Sequence, residues 1–97
     1  MGELDRILRQ ASELHDSGRF QDALALYEDA LACWPTLALI WNNRGNTLLE
    51  LGKFEQAVHS YLQALELAPT LHDSRIALSS CWMAQGELQQ AMDACLT

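Results

Sequence analysis

Two short runs of this chain carry the residue types of a hydrolytic relay, His15-Asp16-Ser17 and His72-Asp73-Ser74. That chemistry needs a base touching a nucleophile on one side and an orienting acid on the other. Successive residues of a helix point about 100° apart, so three neighbours cannot converge in this way. The first run precedes Gly18 at a helix end, and the second opens a helix, where Asp and Ser cap free backbone amides. A metal centre would need converging ligands, as in His-Glu-x-x-His or paired Cys and His. His15, His59 and His72 fall in different helical segments, with His59 expected to face outward. Cys33, Cys81 and Cys95 are odd in number and contain no Cys-x-x-Cys pair, which fits neither a disulfide framework nor a zinc site. They read as buried reduced thiols, with a Cys81–Cys95 disulfide as the alternative. Gly-rich phosphate loops, Gly-x-Ser-x-Gly elbows and kinase elements are absent from the sequence. The expectation is therefore no catalytic centre, no metal and no cofactor.

The bulk composition narrows the partners. The chain has 97 residues, 49% of them hydrophobic, a mean hydropathy of -0.06 and a net charge of -7. Length allows one domain. Nucleic acid and anionic membrane surfaces attract clustered Lys and Arg. Here Lys53 is the sole lysine and the arginines are scattered, so neither partner is expected. No apolar run approaches the roughly 20 residues of a membrane span, and Met1-Gly2-Glu3-Leu4-Asp5-Arg6 lacks a signal peptide's basic and apolar regions. A cytoplasmic location is the expectation.

What positions the remaining residues is a repeat. Gly18-Arg19-Phe20-Gln21-Asp22-Ala23 returns as Gly52-Lys53-Phe54-Glu55-Gln56-Ala57, and more weakly as Gly86-Glu87-Leu88-Gln89-Gln90-Ala91, with a period of 34. In the same register Tyr27 matches Tyr61, Ala30-Leu31 matches Ala64-Leu65, and Pro35-Thr36-Leu37 matches Pro69-Thr70-Leu71. Within a unit, Ile40, Trp41, Leu48, Leu49 and Leu51 recur at helical spacing, and Phe54 to Leu67 forms a second apolar stripe. Gly52 between them suits a left-handed helix stop, and Pro69 cannot continue the helix before it. The pattern predicts helix, glycine turn, helix, proline turn. Gly45 and Ala57 are small enough for the two helices of a hairpin to approach closely. A lone hairpin leaves apolar surface uncovered, so units must stack.

These residues resemble the tetratricopeptide repeat, whose 34-residue pattern runs Trp-x2-Leu-Gly-x2-Tyr, Ala-x3-Phe, Ala and Pro. The middle unit places Trp41, Gly45, Phe54, Ala57, Tyr61, Ala64 and Pro69 at family-like positions, departing at Arg44 and Leu48. The resemblance implies an all-α fold, a right-handed solenoid of antiparallel helix hairpins, with units at 4–37, 38–71 and a truncated 72–97. Gly86 is then expected to turn the third hairpin, leaving Ala91, Met92, Cys95 and Leu96 on an open end. That end implies either a fragment of a longer protein or a homodimer in which a second copy covers it.

The resemblance also implies a function: a non-catalytic protein-interaction scaffold holding a partner segment on the concave face lined by first helices. Its inward residues would include Leu8, Arg9 and Ser12 in the first unit, with Asp5, His15 and Asp16 beside them. The second unit would offer Leu39, Asn42, Asn43, Asn46, Leu49 and Glu50, and the third Asp73, Ile76 and Ser80, with Ala77 and Met83. Each of the three asparagine amides both donates and accepts, the complement of a peptide backbone; solvated polar surface is the bland alternative. One subfamily clamps chaperone carboxylate termini with basic side chains. Its positions fall here on Leu8, Ser12, Asn43, Asp73 and Ala77, of which Asn43 alone fits, and Asp73 would repel a carboxylate. With Asp5, Asp16, Glu50 and Asp73 inside, a neutral or basic segment is the expected partner. Trp41 and Trp82 are expected to pack in the core, and Trp34 to shield a turn or serve as an exposed anchor. The alternatives are a self-association module acting through its repeat ends, and a substrate-presenting array of a larger enzyme such as a glycosyltransferase.

Overall fold

Every backbone amide of a helix interior finds its partner four residues back, so the apolar stripes decide only which faces meet. The computed structural model describes residues 2–96, with side chains through Ala84. Five helices follow in order: α1 Glu3–Asp16, α2 Phe20–Cys33, α3 Ala38–Glu50, α4 Phe54–Leu67 and α5 His72–Leu96. Sequential neighbours pack on one another, and α3 also meets α5.

The two glycine turns share one construction. Gly18 and Gly52 have φ of 83° and 77°, where any Cβ would be strained. Arg19 N–H donates to the Leu14 carbonyl at 2.8 Å, and Lys53 N–H to the Leu48 carbonyl at 2.9 Å. These bonds reach back across the glycine and satisfy carbonyls that the helix end leaves free. The proline turns match as well. Trp34 and Ala68 sit at φ -130° and -140°, the extended geometry that a following proline imposes. Trp41 Nε1 donates to the Pro35 carbonyl and Arg75 donates to the Pro69 carbonyl, each at 3.0 Å. Two unlike side chains, one repeat apart, latch the same turn.

Two buried clusters form the core. One gathers Ala11, Ala23, Tyr27, Ala30 and Ile40, with Trp34 packed on its edge. The other joins Leu24, Leu48, Ala57, Tyr61, Leu78 and Cys81. The expected close approach at Gly45 is present: a Cβ there would lie 2.7 Å from Cε1 of the fully buried Tyr61 ring. Arg44, which stands where the family has leucine, reaches the buried Ser60 hydroxyl at 2.5 Å and Glu28 at 3.4 Å. Its guanidinium lies 5.9 Å from the Trp41 ring centre. A charged group is thus kept inside by three partners that a leucine would not need.

The third unit departs from expectation. Helix α5 runs unbroken through Gly86, which lacks the positive φ of the other two turn glycines. The aromatic that follows each functioning turn glycine, Phe20 or Phe54, is replaced by Leu88 in this unit. An uninterrupted helix keeps every backbone bond that a turn would sacrifice. Trp82 stands in the register of Leu48, which α4 buries, but without a hairpin partner it is 53% exposed rather than packed in the core. Cys81 is buried as expected, whereas Cys33, on the last turn of α2, is exposed. Cys95 and the side chains of Ala91, Met92 and Leu96 lie outside the described residues.

Candidate functional site

Helices α1, α3 and α5 are tied edge to edge by side chains. His15 Nδ1 lies 3.1 Å from Thr47 Oγ1, joining α1 to α3, and Ser74 Oγ donates to Asn42 Oδ1 at 2.6 Å, joining α3 to α5. The first helices are thereby linked in series. Of the residues expected on their shared face, Asp5, Arg9, Ser12 and Asp16 on α1, Leu39 and Glu50 on α3, and Asp73, Ile76, Ser80 and Met83 on α5 are exposed.

Not every residue expected on this face is available there. Asn42 is only 6% exposed, and its carbonyl oxygen is held by Ser74. It is a strut between repeats rather than a groove contact, because its place on α3 turns it toward the next first helix. The same bond corrects the expected capping role of Ser74, a buried residue whose hydroxyl hydrogen goes to Asn42. Ile76 stands one repeat after Asn42 and is 66% exposed, since no further described helix covers it. Leu8 and Leu49 are half-buried and packed against the two core clusters, so they support the face more than they line it.

Asn43 and Asn46 do come together with α1. With Ser12, His15 and Tyr27 they line a cleft of about 160 Å³. Asn46 Oδ1 accepts the Tyr61 hydroxyl at 2.5 Å, while the Thr47 hydroxyl donates to the Asn43 carbonyl at 3.1 Å. With that hydrogen spent, Thr47 Oγ1 faces His15 Nδ1 with its lone pairs. The Phe20 ring meets the imidazole edge-on at 5.0 Å between centroids and holds its orientation. Burial, helped by the nearby charge of Asp16, pushes the Tyr27 hydroxyl above the usual phenol range, and the group stays protonated. Burial foremost, then the charges of Cys81 and Glu50, raises Tyr61 further. Sequence reasoning named Asn43, Asn46, Ser12 and His15 for this face but missed Tyr27, a second-helix residue that reaches it from below. The signal was present in the register: Tyr27 lies one repeat before Tyr61, and Ser12 one repeat before Asn46.

Among the described residues no group of three His, Cys, Asp or Glu could hold a metal ion, and no helix is long and apolar enough to cross a membrane. Trp41 is half-buried, edge-on to the outward-facing His59 at 6.0 Å, and Trp34 packs on the first cluster.

Tetratricopeptide repeat profiles match residues 38–71 and 11–34. Human general transcription factor 3C polypeptide 3 is 35% identical over 96 residues, covering 97% of this chain and 10% of that protein. Mouse protein arginine N-methyltransferase 9 is 33% identical over 69 residues, covering 71% of this chain and 8% of that protein. The chain thus spans about a tenth of the length of the curated relatives it matches. Among solved structures, the second TPR of Spaghetti, bound to the HSP90 peptide SRMEEVD, superposes with a TM-score of 0.83 at 20% identity, covering 94% of this chain and 84% of that one.

Proposed function

The chain belongs to the tetratricopeptide repeat family, and we propose that it is a non-catalytic protein-interaction scaffold whose first-helix face holds a neutral or basic partner segment. What supports this reading is the pair of side-chain bonds, His15–Thr47 and Asn42–Ser74, that link the helices of that face, α1, α3 and α5, in series. On it, exposed apolar Leu39, Ile76 and Met83 alternate with polar Asn43 and Asn46 and with acidic Asp5, Asp16, Glu50 and Asp73. Apolar anchors supply affinity, and the amides supply backbone complementarity. The acids select against acidic segments. The solved neighbour that holds an HSP90 peptide supports peptide binding on this fold. Its acidic ligand is not the one this face suits, because Asp73 and Ala77 stand where a basic clamp would need cations.

The test is a display of extended peptides, acidic, neutral and basic, against the folded protein and its Asn43→Ala/Leu39→Ser variant. Retention of neutral or basic sequences, lost in a variant that keeps its helical signal and melting point, is the expected result. Equal retention of acidic sequences, or no effect of the variant, overturns it.

A second reading rests on the exposure of Ile76, Trp82 and Met83 along α5. A helix with such a face can associate with another copy or with a further repeat of a larger protein. Light scattering at low and high concentration separates this from peptide binding, and a concentration-independent monomer mass sinks self-association. Similarity to a methyltransferase allows the same array to stand beside a catalytic domain.

A further inference from the structure

The two repeats solve one problem differently. In the second repeat the tyrosine of the second helix, Tyr61, lies against Gly45 and gives its hydroxyl to Asn46. In the first repeat the equivalent tyrosine is Tyr27, and the equivalents of Gly45 and Asn46 are Ala11 and Ser12. Ala11 brings a methyl where Gly45 has none, and Ser12 lacks the amide carbonyl with which Asn46 takes the Tyr61 hydroxyl. Among the described residues Tyr27 Oη has no hydrogen-bond partner, and no buried side-chain oxygen or nitrogen is left unsatisfied. The Tyr27 hydroxyl must therefore open on the cleft that its residue lines.

That cleft is too small for a cofactor. Ligand pockets run from about 300 Å³ upward, and 160 Å³ corresponds to about five liquid waters. It fits the end of one side chain. Its lining residues Ser12, Tyr27, Asn43 and Asn46 carry side-chain oxygens, His15 carries ring nitrogens, and no Lys or Arg is among them. Asp16 follows His15 directly, and Glu50 lies one helical turn beyond Asn46. Arg9 lines a separate depression with Glu3, Asp5 and Arg6.

Resting on the scaffold reading above, we infer that this cleft is a specificity pocket for a lysine side chain of the bound segment. An ammonium has three donors and no acceptor, so it uses the acceptors of the wall without leaving a donor of its own unpaired. Asp16 and Glu50 supply the negative potential that an uncharged amide would not need. The pocket would thus read one basic residue in an otherwise loosely specified segment.

The test uses nuclear magnetic resonance of the isotope-labelled chain, titrated with acetyl-Gly-Ala-Lys-Ala-Gly-amide and with its norleucine, glutamine and glutamate counterparts. The lysine peptide is expected to move the Asn43 side-chain amide and the Ser12 and His15 backbone signals, binding about tenfold more tightly than the other three. Tyr27→Phe, which removes an unpaired hydroxyl and should leave the fold intact, is expected to erase most of that preference. Asp16→Asn/Glu50→Gln is expected to reduce it and to flatten its salt dependence. Equal binding of the lysine and glutamine peptides, or a lysine preference unchanged by Tyr27→Phe, overturns the pocket. If all peptides shift Leu39, Asn43 and Ile76 alike, the face binds peptides but the pocket does not select. If none shifts any residue of α1, α3 or α5, the scaffold reading falls with it.

Discussion

The hairpins α1–α2 and α3–α4 have the same length, the same turns and the same buried tyrosine, yet one is closed and the other open. Around Tyr61 the space is filled: Gly45 admits the ring, Asn46 takes the hydroxyl, and α5 covers the neighbouring Asn42 through Ser74. Around Tyr27, a polar cleft lined by Ser12, His15, Asn43 and Asn46 lies at the junction with α3. A difference of one methyl and one amide between equivalent positions separates a packing contact from a candidate binding pocket. Repeats of one fold can thus divide their work, one stabilising the array and the other recognising a ligand.

This contrast can be broken most forcefully at the ring contact. Gly45→Leu drives a side chain into a fully buried tyrosine and should cost about 3 kcal/mol in urea unfolding. Ala11→Gly, its mirror in the first repeat, should cost only about 1 kcal/mol, mainly through helix propensity. Comparable losses at the two sites would mean that the repeats pack alike. Next in size, Asn42→Leu leaves the buried Ser74 hydroxyl without its acceptor and should cost about 1–3 kcal/mol. Adding Ser74→Ala should recover part of that loss, and strict additivity would show that the strut is not a coupled pair.

Smaller effects separate the tyrosines. Tyr61→Phe should cost about 1 kcal/mol by freeing Asn46, whereas Tyr27→Phe should cost less than about 0.5 kcal/mol. The pH dependence carries the same distinction. Both hydroxyls ionise above their ordinary value of 10.0 in the folded chain, Tyr61 most strongly. Above about pH 10 the unfolded chain loses protons that the folded chain keeps, so stability falls as pH rises. Tyr61→Phe should flatten that alkaline decline more than Tyr27→Phe; Cys81, raised from 9.0 by burial, contributes to it in both variants. The smallest change is Ser12→Asn, which supplies the first repeat with the amide of the second. A gain of roughly 0.5 kcal/mol with loss of lysine-peptide binding would convert the open repeat into a closed one. Unchanged binding would show that the cleft has another cause.

Much of this was legible in the chain. The 34-residue period, Gly18 and Gly52 with their left-handed turns, and Pro35 and Pro69 with their breaks are local chemistry, set by backbone freedom at single residues. Gly45 was readable as a close approach because only a missing Cβ permits one. The third turn was misjudged because Gly86 repeats the signal without the aromatic that follows the other two. A glycine permits a turn but does not compel it.

By itself, then, the sequence determined the first four helices, the two hairpins they form, their stacking order and the excess of acidic side chains, all properties of periodicity and charge. Only the tertiary structure decided which polar residues face a ligand. Asn42 and Asn46 share a helix face, yet α5 covers the first while Asn43 and the second border an opening to solvent. Whether an amide is strut or contact depends on what the neighbouring repeat sets against it, and that is a fact of packing between residues distant in the chain.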